Sequence, residues 1–134
     1  MTNVMLESQL QIRVTNDVGT LAQITNTISS SGINLVAVCA YAVDNNGMIM
    51  FVTEDNKKAK KLLESKNYNV NEEEIVLLTL DNKPGTLQAI TQRIADSGID
   101  LTLVYGSVEP KGKKSQIVLI SENNAAVLAV VKMM

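Results

Sequence analysis

Apolar and polar residues alternate from Leu10 to Thr15, with Leu10, Ile12 and Val14 on one side and Gln11, Arg13 and Thr15 on the other. That is the period of a strand with one buried face. Beyond a turn at Asn16 to Gly19 the period changes: Leu21, Ile24 and Ile28 mark the inner stripe of a helix, which Gly32 is expected to close by taking the left-handed conformation. Ile33 to Val43 and Met48 to Thr53 then read as two strands joined by a hairpin turn at Asp44-Asn45-Asn46-Gly47, with Asn-Gly as the turn signal. Glu54-Asp55-Asn56 offers capping side chains to a second helix, with Ala59, Leu62 and Leu63 inward and Lys57, Lys58, Lys60 and Lys61 outward. The lysines read as a solvated face. Asn69 to Glu74 is expected as a fourth strand that runs, with no linker, into a further strand at Ile75 to Leu80.

The order then repeats. Asn16-Asp17-Val18-Gly19-Thr20-Leu21 recurs 66 residues later as Asn82-Lys83-Pro84-Gly85-Thr86-Leu87. The register holds through Ile24/Ile90, Thr25/Thr91, Ile28/Ile94, Ser31/Ser97, Gly32/Gly98, Ile33/Ile99 and Leu35/Leu101. A period of this length is too long for a solenoid repeat and suits a small domain. The second copy continues with a strand at Ile99 to Val108, a longer hairpin at Glu109 to Lys114, a strand at Ser115 to Ser121 and a helix from about Asn124 with Val127, Val130 and Val131 inward. Its basic hairpin tip reads as an ordinary polar turn.

The fold class is therefore α+β: two ferredoxin-like βαββαβ units in tandem, antiparallel sheets with helices on one face, covering 8–74 and 75–134. The second unit lacks its last strand, which leaves a bare sheet edge for the N-terminal Met1 to Glu7 or a partner chain to cover. Met48 to Val52 and Ile117 to Ile120 are apolar at odd and even positions alike, so both sheet faces are expected to be covered at least in part. A domain near 60 residues buries only about 60% of its unfolded surface. A homodimer is the expected assembly.

Composition narrows the chemistry. The chain has no histidine, which removes the usual general base and the commonest transition-metal ligand. No catalytic residue, metal site or cofactor is expected, and the reading is of a protein that is not an enzyme. The single Cys39 lies in an apolar run and reads as a small core residue. A net charge of −2 with 3% aromatics argues against a nucleic-acid surface. No apolar run reaches the roughly 18 residues of a membrane span, and Met1 to Glu7 carries no secretory signal pattern, so no membrane association and a cytoplasmic location are expected.

Candidate chemistry lies in the repeated element, where a strand ends in Asn, turns through Gly and opens a helix. Unpaired N–H groups and the positive end of the helix dipole suit a carboxylate or phosphate there. The plainer alternative is that Asn16 and Asn82 only cap their helices.

These residues resemble the ACT domain family. Its pattern of Asn/Asp-x-Pro-Gly-x-Leu followed by Gly-Ile-Asn stands here as Asn16 to Leu21 with Gly32-Ile33-Asn34, and as Asn82 to Leu87 with Gly98-Ile99-Asp100. The resemblance implies a regulatory module of amino acid metabolism that binds a free amino acid, or a similar small metabolite, at an interface between two such domains. It implies ligand contacts at Asn16, Asp17, Val18, Gly19, Thr20, Leu21 and Asn34 in the first copy. In the second copy it implies them at Asn82, Lys83, Pro84, Gly85, Thr86, Leu87 and Asp100.

The copies are not equivalent. The histidine that a serine-sensing member carries two residues before the first asparagine is replaced by Val14 and Leu80, so serine is not implied. Asp100 suits an ammonium group and repels a carboxylate, and Val18 in place of proline is expected to loosen the first turn. An alternative within the family is a module like the small subunit of acetolactate synthase, docking on a metabolic enzyme without its own ligand. Other uses of the βαββαβ frame fit less well, because Arg13 and Arg93 fall outside any phosphate loop, and Tyr41, Phe51, Tyr68 and Tyr105 form no stacking platform.

Overall fold

The computed structural model describes residues 3–107 and 114–134; the expected hairpin tip at 109–113 lies outside them. Six strands and four helices follow in the order β1 (Asn3–Thr15), α1 (Thr20–Ser29), β2 (Leu35–Val43), β3 (Asn46–Thr53), α2 (Asn56–Ser65), β4 (Val70–Asp81), α3 (Thr86–Asp96), β5 (Leu101–Ser107), β6 (Lys114–Ser121) and α4 (Asn124–Lys132). This is the α+β, βαββαβ-type pattern of antiparallel strands and helices that the repeat predicts.

The chain divides into two compact units, one formed by Ser8–Glu73 and the other by Glu74 onward together with the stretch through Glu7. In the first unit the strands lie in the order β2-β3-β1-β4. β3 pairs antiparallel with β1 on one side (Leu10 opposite Phe51, Val14 opposite Gly47) and with β2 on the other (Ala40 opposite Ile49, Ala42 opposite Gly47). Alternate residues Leu10, Ile12, Ile49 and Phe51 meet Ile24 and Ile28 of α1 and Ala59 and Leu63 of α2 in one buried core.

The second unit has the order β1-β4-β6-β5, with β4 and β5 flanking β6 antiparallel. Its core joins Val76, Leu78, Leu80, Ile117 and Leu119 to Ile90 and Ile94 of α3 and Val127 and Val131 of α4. Val4 belongs to the same core. The start of β1 therefore stands where this copy has no fourth strand of its own, and the edge of β4 is covered from within the chain. Met48, Met50, Val52, Ile75, Leu77 and Val118, on the face away from these cores, are all buried as well, so β3, β4 and β6 lose both faces to burial, as their unbroken apolar runs require.

The first unit departs from expectation in the placing of its hairpin turn and of Leu21. The hairpin turn is Asp44-Asn45, with Asp44 at φ 55°, while Asn46 and Gly47 already lie within β3. Leu21 is not core: it remains 43% exposed, because α1 begins only at Thr20 and no element covers its first turn.

A second repeated device appears at the entry to α2 and α4. Asn56 Oδ1 accepts from the Thr53 N–H and hydroxyl, both at 2.8 Å, and its Nδ2 donates to the Ser8 carbonyl at 2.8 Å. Asn124 repeats this with the Ser121 N–H at 2.9 Å and the Glu74 carbonyl at 3.1 Å. Asp55 and Asn123 cap the helices by accepting from Lys58 N–H and Ala126 N–H. The sequence carries this as Thr53-Glu54-Asp55-Asn56 and Ser121-Glu122-Asn123-Asn124, a spacing lengthened by the longer second hairpin.

Candidate functional site

α1 and α3 begin differently from α2 and α4. In the first unit Asp17 N–H donates to the Thr15 carbonyl at 2.9 Å and Thr20 N–H to the Asp17 carbonyl at 3.3 Å. The N-cap is Gly19 at φ 91°, and no side chain caps the helix. The second unit repeats the turn: Lys83 N–H to Asp81 at 3.0 Å, Thr86 N–H to Lys83 at 3.2 Å, and Gly85 at φ 89°. Only glycine takes this left-handed geometry without penalty. Asn16 and Asn82 therefore do not cap α1 and α3, and the N–H groups of Leu21 and Ala22 at the positive end of α1 receive no side-chain acceptor.

Val18 does not alter the turn. The two glycine N-caps differ by only a few degrees, and Val18 is fully exposed. Val18→Pro is expected to stabilise the first unit by about 0.4–1 kcal/mol, by restricting the unfolded chain to a shape the turn at Pro84 already has. Thermal denaturation would show this as a raised midpoint.

The uncapped end of α1 opens on a groove of about 410 Å³. Asn16, Asp17, Gly19, Thr20 and Leu21 line it, joined by Ala22, Val14, Ala40, Tyr41, Ala42, Gly47 and Ile49. Its size falls in the range of small-molecule sites. Asp17 is the one charged residue of the lining. Gly47 gives the floor its depth, since a Cβ there would stand 3.1 Å from Val14 Cγ2.

The other expected positions are distributed. Val18 points away from the groove. Asn34 lines a separate cavity of about 440 Å³ with Thr25, Asn26 and Ile33, so Asn16 and Asn34 of one unit do not share a cavity. In the second unit Thr86 lines a cavity of about 450 Å³ with Asn3, Val4, Ile90, Val131 and Lys132. Leu87 packs on the core, Asn82, Lys83, Pro84 and Gly85 form the turn, and Asp100 is exposed. Asp81 stands where the first unit has Thr15, ion-paired with Lys114 at 3.4 Å, and places a negative charge at the mouth of the second turn. The strand residues of the first groove escape sequence reasoning because pairing across three strands assembles them; an isolated Gly inside a strand, Gly47, is the one local signal.

Among the described residues no three of Cys, Asp and Glu are grouped to hold a metal ion, and no helix is long and apolar enough to cross a membrane.

Comparison with known families decides the kinship of this arrangement. The family model for the ACT domain pair matches residues 5–133. The chain belongs to the ACT domain pair family. Among solved structures this ACT domain pair is similar to protein BT0572 from Bacteroides thetaiotaomicron, at 25% identity and a TM-score of 0.89, over 97% of this chain and 89% of that one. The regulatory subunit of aspartate kinase from Thermus thermophilus shares the fold at 15% identity and a TM-score of 0.66, over 97% and 95% of the two chains. A structure of aspartokinase α and β subunits does so at 12% identity and 0.67, with the same coverage. No curated protein sequence matches the chain significantly.

Proposed function

We propose that this ACT domain pair is a non-catalytic regulatory protein that binds a free amino acid in the groove of its first unit. One observation carries the reading: the chain caps α2 and α4 with Asp55 and Asn123 yet leaves α1 uncapped where it meets a groove of ligand size. The ligand carboxylate is placed on the N–H groups of Leu21 and Ala22, at the positive end of α1. Its ammonium group is placed on the Asn16 amide oxygen and the Asp17 carboxylate.

The groove is open on one side, and a second copy closes it in this reading. β2 favours such a dimer. It is an edge strand whose nine residues include no charge, no Pro and no Gly, and it exposes Leu35, Val38, Tyr41 and Val43, without the usual devices that keep edges apart. A ligand touching both Asn16 and Asn34 would then take Asn34 from the second copy. Regulation follows by linkage: a ligand that binds the joined arrangement more tightly than the separate one shifts the population toward it, and a metabolic enzyme reads the shift.

Isothermal calorimetry of the full chain against each of the twenty amino acids tests this. Binding of at least one at or below about millimolar Kd is expected, equivalent to about 4 kcal/mol. Uniformly absent heat overturns the ligand reading and leaves the docking module as the account of the fold.

A further inference from the structure

We infer that the groove of the first unit selects a free amino acid with an uncharged, apolar side chain, aliphatic or carrying one aromatic ring. The inference rests on the ligand reading above and concerns the side of the groove that the strands build, next to the Asn16 turn. There the floor is Val14 on β1 with Gly47 and Ile49 on β3, and the wall is Ala40 and Ala42 on β2.

Strand register places these side chains together. Val14 and Ala42 both lie opposite Gly47, from the two flanking strands, and Ala40 lies opposite Ile49. Three small residues clear the space while the methyl groups of Val14 and Ile49 surface it. Val14, Ala40, Ala42, Gly47 and Ile49 carry no charge, Tyr41 lines the groove from between the two alanines, and Asp17 is the one charged residue of the lining. Once the second copy closes the groove, a carboxylate, ammonium or guanidinium side chain laid on this floor would be stripped of water with no opposite charge among these five residues, which is strongly unfavourable. An apolar side chain meets no such penalty and gains from burial.

The second unit supplies an internal contrast. The positions matching Val14, Ala22, Ala40 and Gly47 are Leu80, Gln88, Gly106 and Ser115. The floor is thus raised by a larger residue and carries a hydroxyl in place of the glycine. A Cβ at Gly106 would collide with the Gln116 carbonyl, so no wall methyl can stand there. Among the described residues the apolar lining belongs to the first unit alone.

The test is calorimetry of the full chain with leucine, isoleucine, valine, methionine and phenylalanine against serine, aspartate and lysine. The wild type is compared with Ala42→Asp and Ala40→Leu, both at exposed positions of an edge strand, with folding checked by circular dichroism. At least one apolar amino acid is expected to bind about tenfold or more tightly than the polar three, and each folded variant to weaken it by about tenfold or more. Equal or tighter binding of serine, aspartate or lysine overturns the apolar class while leaving the ligand reading intact. Undiminished binding in the folded variants overturns the location, and absence of all binding defeats both readings. Should Ala42→Asp fail to fold, Ala40→Leu decides the location.

Discussion

Ile94→Ala is expected to lower the stability of the second unit by about 2–5 kcal/mol, and Ile28→Ala to do the same in the first. Each side chain is 1% exposed and sits at the centre of its unit's core, Ile28 among Leu10, Ile12 and Phe51 and Ile94 among Leu78, Ile90 and Val127. Truncation removes three carbons and leaves a cavity that the strands beneath can close only by breaking their register. Leu21→Ala is the internal control. It lies on the same helical stripe, three residues before Ile24, but is 43% exposed, and its truncation is expected to stay near 0.5 kcal/mol. Urea denaturation followed by circular dichroism separates the two cases. Equal losses for Leu21 and Ile28 would mean that the first turn of α1 is covered in solution.

Asn56→Ala is expected to cost roughly 1–3 kcal/mol for each buried group it leaves unpaired, with Asn124→Ala parallel in the second unit. Thr53, only 7% exposed, gives both its N–H and its hydroxyl to Asn56 Oδ1, while Nδ2 reaches back 48 residues to the Ser8 carbonyl. One side chain therefore accepts and donates at once, tying the start of α2 to β1. Asn56→Asp keeps the acceptor and loses the donor, so it is expected to destabilise as well, although it is nearly isosteric. If Asn56→Asp matched the wild type in the same denaturation assay, the bond to Ser8 would be shown to contribute nothing.

Much of the fold is legible in the sequence because the chain repeats. The motif at Asn16 and Asn82, the helical stripes and the lack of a linker before Ile75 point to two fused βαββαβ units, and β4 does run unbroken from Val70 to Asp81. The misplaced hairpin turn has a physical cause. Asn46-Gly47 has the dipeptide of a tight turn, yet Gly47 is needed inside β3, where it faces Val14 and Ala42 and any larger residue would press on Val14 Cγ2. A residue required for size and a residue required for a turn look the same in one sequence.

The candidate site divides along the same line. Its turn is local and was legible at Asn16, Asp17, Gly19, Thr20 and Leu21. Its floor and wall come from Val14, Ala40, Ala42 and Ile49 on three strands, which only register brings together. The expected partner of Asn16, Asn34, lies in another cavity of the same unit, since it follows α1 where Asn16 precedes it. The paired bracket at Thr53 to Asn56 and Ser121 to Asn124 was readable as a second repeat, but its altered spacing hides it from a search at the period of the first.

Whether the uncapped start of α1 receives a ligand is decided by the amide chemical shifts of the ¹⁵N-labelled full chain. Each of the twenty amino acids is added in turn, leucine and phenylalanine first. Progressive, saturable shifts are expected at Gly19, Leu21 and Ala22, with Gly85, Leu87 and Gln88 at the start of α3 left in place. Unmoved amides at the start of α1 with all twenty amino acids, or shifts at α3 alone, would contradict it.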